Sequence, residues 1–278
     1  MPEPRILVTG ADGQVGRALR TVLPQAGFRT RSQLDVTDEE RVLAAVAGID
    51  VVVHAAALTN VDGCEADPDA AADVNDRGTG AVAAAARASG ARVVYLSTDY
   101  VFAGDAAPYA EDAPTGPVNV YGRTKLAGEH HLDPERDLVV RSSWLFGDGR
   151  NFVRTILAGA AKGVPRVVDD QVGLPTGAPA LARALAHAVA APGLVGRLHV
   201  AGAGPPCSWA DLADAALALA GLDARVTRVD SASYAAAAGR VVAPRPADST
   251  LLLTRARRAG LPLEDWRESL ERYVRSIR

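Results

Sequence analysis

Tyr121 and Lys125 stand four residues apart, and upstream of them an apolar run ends in the hydroxyls of Ser97-Thr98-Asp99-Tyr100. On a helix that spacing puts the phenol and the ammonium group on one face. A tyrosine close to a cation has its anion stabilised, so its pKa is expected to fall from ~10 toward neutrality, where it passes a proton to a substrate oxygen. The chemistry this predicts is carbonyl reduction. Lysine occurs only at 125 and 162 among 30 Lys+Arg, and with six tyrosines about 0.04 Tyr-x-x-x-Lys pairs are expected by chance. The competing explanation is a helix-surface pair contributing about a few tenths of a kcal/mol.

These side chains need a scaffold, and the first half of the chain alternates strand and helix. Arg5 to Thr9 is a β-branched run, followed by Gly10-Ala11-Asp12-Gly13-Gln14-Val15-Gly16 and a helix through Leu23. Glycines there let the backbone turn tightly and approach a pyrophosphate, which the helix N-terminus attracts. The spacing, Gly-x-x-Gly-x-x-Gly, is a weak signal alone, and its place after the first strand strengthens it. A strand at Phe28 to Arg31 should end near a bound adenosine ribose. There Arg31 with Ser32 suits the 2′-phosphate of NADP, whereas an acid would suit NAD; we expect NADPH, with NADH as an alternative. Arg31 as a plain surface charge is the competing explanation. Asp35, beside Val36, is placed near the adenine or as a cap for a helix beginning near Asp38.

Ile49 to Val53 reads as a strand buried on both faces, and Ala55-Ala56-Ala57 beyond it let a flat cofactor lie close to the backbone. His54 is expected to be hydrogen-bonded packing rather than a base. Leu58-Thr59-Asn60-Val61-Asp62 forms a loop at the ligand edge. A helix over Pro68 to Ala88 carries Asn75, expected to bond a loop backbone. Strand Arg92 to Leu96, the tyrosine helix Val120 to His131 and strand Leu138 to Arg141 follow. His130 and His131 diverge by about 100° on a helix and make no metal pair.

The fold class this predicts is α/β, a doubly wound parallel sheet of Rossmann type with a smaller C-terminal substrate-binding lobe. Residues 1–150 should bind the dinucleotide and 151–278 the substrate, with parts of 164–200 returning to the sheet. In the second half we expect a loop over Ser143 to Gly147, helices over Phe152 to Ala161, Leu181 to Ala191, Ser208 to Ala220 (capped by Ser208) and Trp266 to Ile277, and strands over Val164 to Val168, Arg197 to Val200 and Val226 to Val229. The substrate should lie in the cleft between the two parts.

At 278 residues and 48% hydrophobic, the chain can bury a full core. A net charge of −3 with scattered cations argues against a nucleic-acid or anionic-membrane surface, while a local basic pocket for phosphate remains open. Cys64 and Cys207 sit in no metal or redox spacing, which suggests a reduced cytoplasmic setting. The N-terminus lacks a signal-type apolar segment, and the run Leu181 to Val195 is broken by Arg183, His187 and Pro192, so no membrane span is expected.

Taken in order, the motifs resemble the extended short-chain dehydrogenase/reductase superfamily and, within it, the dTDP-4-dehydrorhamnose reductases. Those motifs are the glycine turn, Leu58-Thr59-Asn60-Val61-Asp62, Ser97-Thr98-Asp99-Tyr100-Val101-Phe102, and Asn119-Val120-Tyr121-Gly122-x-Thr124-Lys125-x-x-Gly128-Glu129. Arg141-x-Ser143-Trp144, Asn151-Phe152, Asp170-Gln171-x-Gly173-x-Pro175-Thr176 and Arg245-Pro246-x-x-Ser249-x-Leu251 complete them. The resemblance implies that Tyr121 protonates the C4 oxygen of a dTDP-linked 4-keto-6-deoxyhexose while the nicotinamide delivers hydride to C4. Lys125 would hold the nicotinamide ribose and lower the tyrosine pKa, and Thr98 would bond the reacting oxygen. Gly10, Asp12, Gly13, Gln14, Val15, Gly16, Thr59, Tyr121 and Lys125 would line the cofactor, together with Arg31, Ser32, Asp35, Val36 and Ala55 to Ala57. Val61, Asp99, Trp144 and Asn151 would face the sugar or its nucleotide, with Arg245 on the diphosphate.

The dehydratases of the superfamily place Glu after Thr-Asp; here Tyr100 follows, so the chemistry should stop at ketone reduction. Pro179 occupies a position where a carboxylate could serve a metal, and no metal is expected. A monomer or homodimer is expected. Rival readings are a 4-ketoreductase for another dTDP-4-keto-deoxysugar and a non-catalytic NADP-binding subunit, since the regulatory subunit of methionine adenosyltransferase uses a similar scaffold.

Overall fold

The computed structural model describes residues 3–160 and 163–278. Six parallel strands form the central sheet: β1 (Ile6–Thr9), β2 (Gly27–Arg29), β3 (Val51–His54), β4 (Arg92–Thr98), β5 (Leu138–Ser142) and β6 (Gly196–His199). Their order is β6-β5-β4-β3-β1-β2, so the winding reverses between β1 and β3. Ligands bind in such sheets at the carboxyl ends of the strands where the order reverses.

The strands are apolar on both faces because both are covered. Ile6, Val8, Val51, Val53, Val94, Leu138 and Val140 pack against helices α1 (Gln14–Val22) and α5 (Ala178–Ala190). The alternate residues Leu7, Val52, Val93, Tyr95 and Val139 pack against helices α2 (Glu39–Val46) and α3 (Gly78–Ser89). Gly196 to His199 joins the same sheet beside β5, so a strand from the second half completes the first. A third core around Trp144, Phe146, Leu212, Trp266 and Leu270 holds the C-terminal lobe together.

Helix α4 (Val120–Glu129) carries the tyrosine and lysine and is tied to the sheet at both ends. Asn119 caps it by accepting from the Gly122 N–H at 2.8 Å. A Cβ on Gly122 would lie 2.1 Å from the Tyr100 carbonyl oxygen, and one on Gly128 2.5 Å from the Asn75 carbonyl and the Tyr95 hydroxyl. Both glycines are required by close approach. At the far end the fully buried Glu129 accepts two bonds from Arg141 of β5, at 2.7 and 2.9 Å, and one from Ser97 of β4 at 2.6 Å.

The expected helix Pro68 to Ala88 divides into Pro68–Ala72, a π-turn Asp73–Arg77 and α3. The turn presents Asn75, whose side chain pairs with both backbone groups of Leu58 (2.8 and 3.0 Å) and donates to Thr124 Oγ1 at 3.1 Å. Other boundaries shift by a few residues: β2 is Gly27–Arg29 rather than Phe28 to Arg31, and α5 starts at Ala178 rather than Leu181. The expected loop Ser143 to Gly147 contains a short strand, Leu145–Phe146, paired with Thr176–Gly177. Three short helices had no clear periodicity: Val61–Ala66, which absorbs the end of the expected loop, Ser231–Ala237 and Thr254–Arg258. The helix starting at Phe152 runs to Ala160, and Ala161 lies outside the described residues.

Because the Arg141 guanidinium is buried, Glu129→Gln leaves it without its counter-charge. The variant should lose about 3–5 kcal/mol of stability, read as a lower urea midpoint at unchanged slope.

Candidate active site

A cleft of about 620 Å³ opens at the carboxyl ends of the strands, and its wall brings together most of the residues marked in the sequence. Gly10 has φ +69°, and a Cβ there would lie 2.6 Å from the backbone of Ala55 and Ala56. A Cβ on Gly16 would lie 2.4 Å from the Gly10 carbonyl. The turn is thereby pressed against the end of β3, and α1 follows Gly13 with no side chain capping its first N–H groups. Those donors are free for an anion.

Asp12, Gly13, Gln14 and Val15 line the cleft, as do Ala55, Ala56, Ala57 and Thr59. Arg31, Asp35 and Val36 line the far lip; the Arg31 side chain is 76% exposed and lies 3.8 Å from Asp35. Asp35 does not cap α2, since Asp38 does so by accepting from Arg41 N–H at 3.1 Å. Asp35 instead accepts from Thr37, which holds its carboxyl below the usual range. Ser32 lies outside the cleft wall and bonds Thr30 at 3.0 Å.

At the other end Thr98, Asp99, Tyr100, Tyr121 and Lys125 meet Ser142, Ser143 and Trp144. Lys125 is 2% exposed, its Nζ lies 4.1 Å from the centre of the Tyr95 ring, and burial lowers its pKa to about 7 against the opposing pull of Glu129. The phenol of Tyr121 differs from expectation. Its pKa is raised, chiefly by burial, with a hydrogen bond to Thr98 lowering it and the Asp99 charge adding to the rise. Lys125, itself lowered by burial, does not offset this rise. A raised pKa keeps Tyr121 protonated at neutral pH, the state that a proton donor needs.

Asp99 is 2% exposed, accepts from Thr98 (3.0 Å) and from Ser249, and is pushed up to about 7 by burial. Tyr100 packs edge-on against Tyr121, ring centres 6.1 Å apart. Val61 lines the cleft. Asn151 and Arg245 do not. The Asn151 amide donates to the carbonyls of Gly147 (2.7 Å) and Gly149 (3.1 Å) and to the Tyr273 hydroxyl (2.6 Å), so it braces a turn. Arg245 pairs with Asp62 at 2.6 Å and donates to the Ala243 carbonyl at 2.6 Å.

His54 is fully buried, with its ring nitrogens 2.7 Å from Thr9 Oγ1 and 3.2 Å from Thr79 Oγ1, which is packing. Burial pushes its pKa down to about 3. Both thiols are buried and raised, Cys64 to about 11 and Cys207 to about 12. Among the described residues no cluster of three His, Cys, Asp or Glu side chains is placed to hold a metal, and no helix is long and apolar enough to cross a membrane. Trp209 and Arg150 also line the cleft. The sequence marked Trp209 only as the first residue after a helix cap.

A family profile described as RmlD substrate binding domain matches residues 4–278. The chain belongs to this family. It is 42% identical to a dTDP-4-dehydrorhamnose reductase of Mycolicibacterium smegmatis, over 98% of this chain and 86% of the relative. It is also 42% identical to a probable dTDP-4,6-dihydroxy-2-methyloxan-3-one 4-ketoreductase of Streptomyces antibioticus, over 96% and 93%. A crystal structure of dTDP-4-dehydrorhamnose reductase from Bacillus anthracis in complex with NADP superposes with a TM-score of 0.91 at 33% identity, covering 99% of this chain and all of that one.

The buried lysine gives a pH test. Between about pH 7, where folded Lys125 loses its proton, and about pH 10.5, where the unfolded chain does, the unfolded state binds the extra proton, so stability rises with pH across that window. Lys125→Met removes this contribution to the rise, which urea unfolding at both ends of the window checks.

Proposed function

We propose that the protein reduces the C4 ketone of dTDP-4-dehydro-L-rhamnose to dTDP-L-rhamnose with NADPH. The observation that carries this is the convergence of Thr98, Tyr121 and Lys125 on one end of a cleft whose other end is a glycine turn and an uncapped helix N-terminus. The same convergence favours an enzyme over a non-catalytic dinucleotide-binding subunit. A dinucleotide fits this wall: the first-turn N–H groups of α1 suit its diphosphate, and the Cβ-free approach of Gly10 and Gly16 leaves room for it. Arg31 would meet a 2′-phosphate, with Ser32 reaching it only by turning from Thr30, and this is the basis for preferring NADPH to NADH. When bound, NADPH supplies the hydride.

The chain's own residues do the rest. Tyr121, protonated at neutral pH, gives its proton to the C4 oxygen, and Thr98 would orient that oxygen by turning its hydroxyl from Asp99. Lys125 would hold a ribose hydroxyl, with Val61, Asp99 and Trp144 against the sugar. Arg245 would reach a diphosphate only by releasing Asp62, and Asn151 is assigned to bracing its turn. Residues 1–150 are read as the dinucleotide-binding part and 151–278 as the substrate lobe, interleaved through 164–200. The nucleotide-sugar substrate and two free buried thiols favour the reducing cytoplasm.

A second reading is reduction of another dTDP-4-keto-deoxysugar. Its support is the equal identity, 42%, to the Streptomyces antibioticus ketoreductase and to the Mycolicibacterium smegmatis reductase. Loss of NADPH absorbance with dTDP-4-keto-6-deoxyglucose should require its 3,5-epimerase. Faster turnover of a different dTDP-4-ketosugar would favour the second reading, and no turnover of any would overturn both. Gly16→Val, which crowds the Gly10 carbonyl, should weaken NADPH binding by at least ~10-fold in calorimetry, about 1.4 kcal/mol.

A further inference from the structure

We infer that Trp209 is a positioning residue for the hexose: its indole backs that of Trp144, and the stacked pair forms a platform for the apolar C5–C6 face of a 6-deoxyhexose. This rests on the functional reading above and adds a residue and a chemical class of contact to it.

Trp144 has φ +46°, a left-handed backbone unusual for a bulky side chain and held only where the surroundings impose it. The surroundings are specific. The Trp144 and Trp209 rings lie parallel, centroids 3.7 Å apart and planes 8° apart, and Phe152 supports Trp209 at 4.6 Å. On Gly173 a Cβ would fall 2.7 Å from the Trp144 ring, so only glycine admits the indole there. Gly173 pairs with Cys207 in a two-stranded antiparallel ribbon, and Ser208, next in that ribbon, caps helix α6 (Trp209–Leu219) through a capping box with Asp211. One ribbon therefore carries both the glycine against Trp144 and the tryptophan stacked on it.

The Trp144 N–H is buried and has no hydrogen-bond partner among the described residues, so the ring is held by shape. Both indoles line the cleft that also holds Ser143, Thr98 and Tyr121, where on the functional reading above the reacting sugar would lie. A 6-deoxyhexose offers a methyl group and ring C–H groups to an aromatic face, and a stacked indole pair is a rigid surface for them. Trp209 belongs to the lobe and Trp144 follows β5, so the stack also fixes the lobe against the sheet at this point.

The test combines kinetics with near-ultraviolet circular dichroism. Trp209→Ala should raise KM for the ketosugar ~10-fold, with kcat changed far less and the NADPH Kd unchanged; Trp209→Phe, which keeps an aromatic face, should recover most of the loss. Wild-type protein should show the coupled signal of two stacked indoles, absent in both variants, and dTDP-L-rhamnose should perturb it while dTDP alone does not. An unchanged KM in Trp209→Ala overturns the inference. A signal moved as much by dTDP alone also overturns it, assigning the stack to the base. The wild-type titration decides the matter if the variants fail to fold. Absence of wild-type turnover would sink the functional reading, and the same titration would still test the platform.

Discussion

The buried ion pair of Glu129 with Arg141, joined by Ser97, fixes where the reactive helix lies. Tyr121, Lys125 and Glu129 follow one another at four-residue spacing, so a single stripe of α4 carries the phenol, the ammonium group and the anchor. The anchor grips β5 through Arg141 and β4 through Ser97, and β4 ends one residue later in Thr98. Two close approaches, at Gly122 and Gly128, let the helix settle against Tyr100, Asn75 and Tyr95. The hydroxyl of Thr98 and the phenol of Tyr121 are thus held by the same few contacts, and a buried pair of this kind fixes geometry more than it stabilises the fold.

Low polarity at the reacting end follows from the same packing. Lys125 and Asp99 are both displaced toward about 7, in opposite directions, by burial alone as the leading cause, and the Tyr121 phenol is pushed up. Displaced groups that converge on a cleft mark a site of chemistry. His54 and His199 are displaced as strongly, to about 3, but they lie outside the cleft wall.

Much of this was legible in the sequence because its periodicities are strong. The two-sided apolar strands, the glycine turn and the Tyr-x-x-x-Lys spacing each have one good structural solution. What escaped depended on contacts distant in sequence. Asn151 and Arg245 are polar residues whose partners, Tyr273 and Asp62, could not be paired with them by spacing, so they read as ligand contacts. Helical spacing reports that Tyr121 and Lys125 are neighbours and says nothing of desolvation, which is the leading cause of the rise in the Tyr121 pKa. Asn75 was rightly read as bonding a loop, yet the π-turn that aims it left no periodic trace. Trp209 follows a recognisable cap, while its stacking partner, Trp144, is 65 residues away in sequence.

The central claim is that the Tyr121 phenol gives the proton that completes ketone reduction. Its most direct test is the turnover of Tyr121→Phe with saturating NADPH and 4-ketosugar, alongside its affinity for NADPH. The account predicts a fall in kcat of ~10²–10⁴ with the affinity retained. Wild-type turnover in the phenylalanine variant would contradict it and leave the proton to another group.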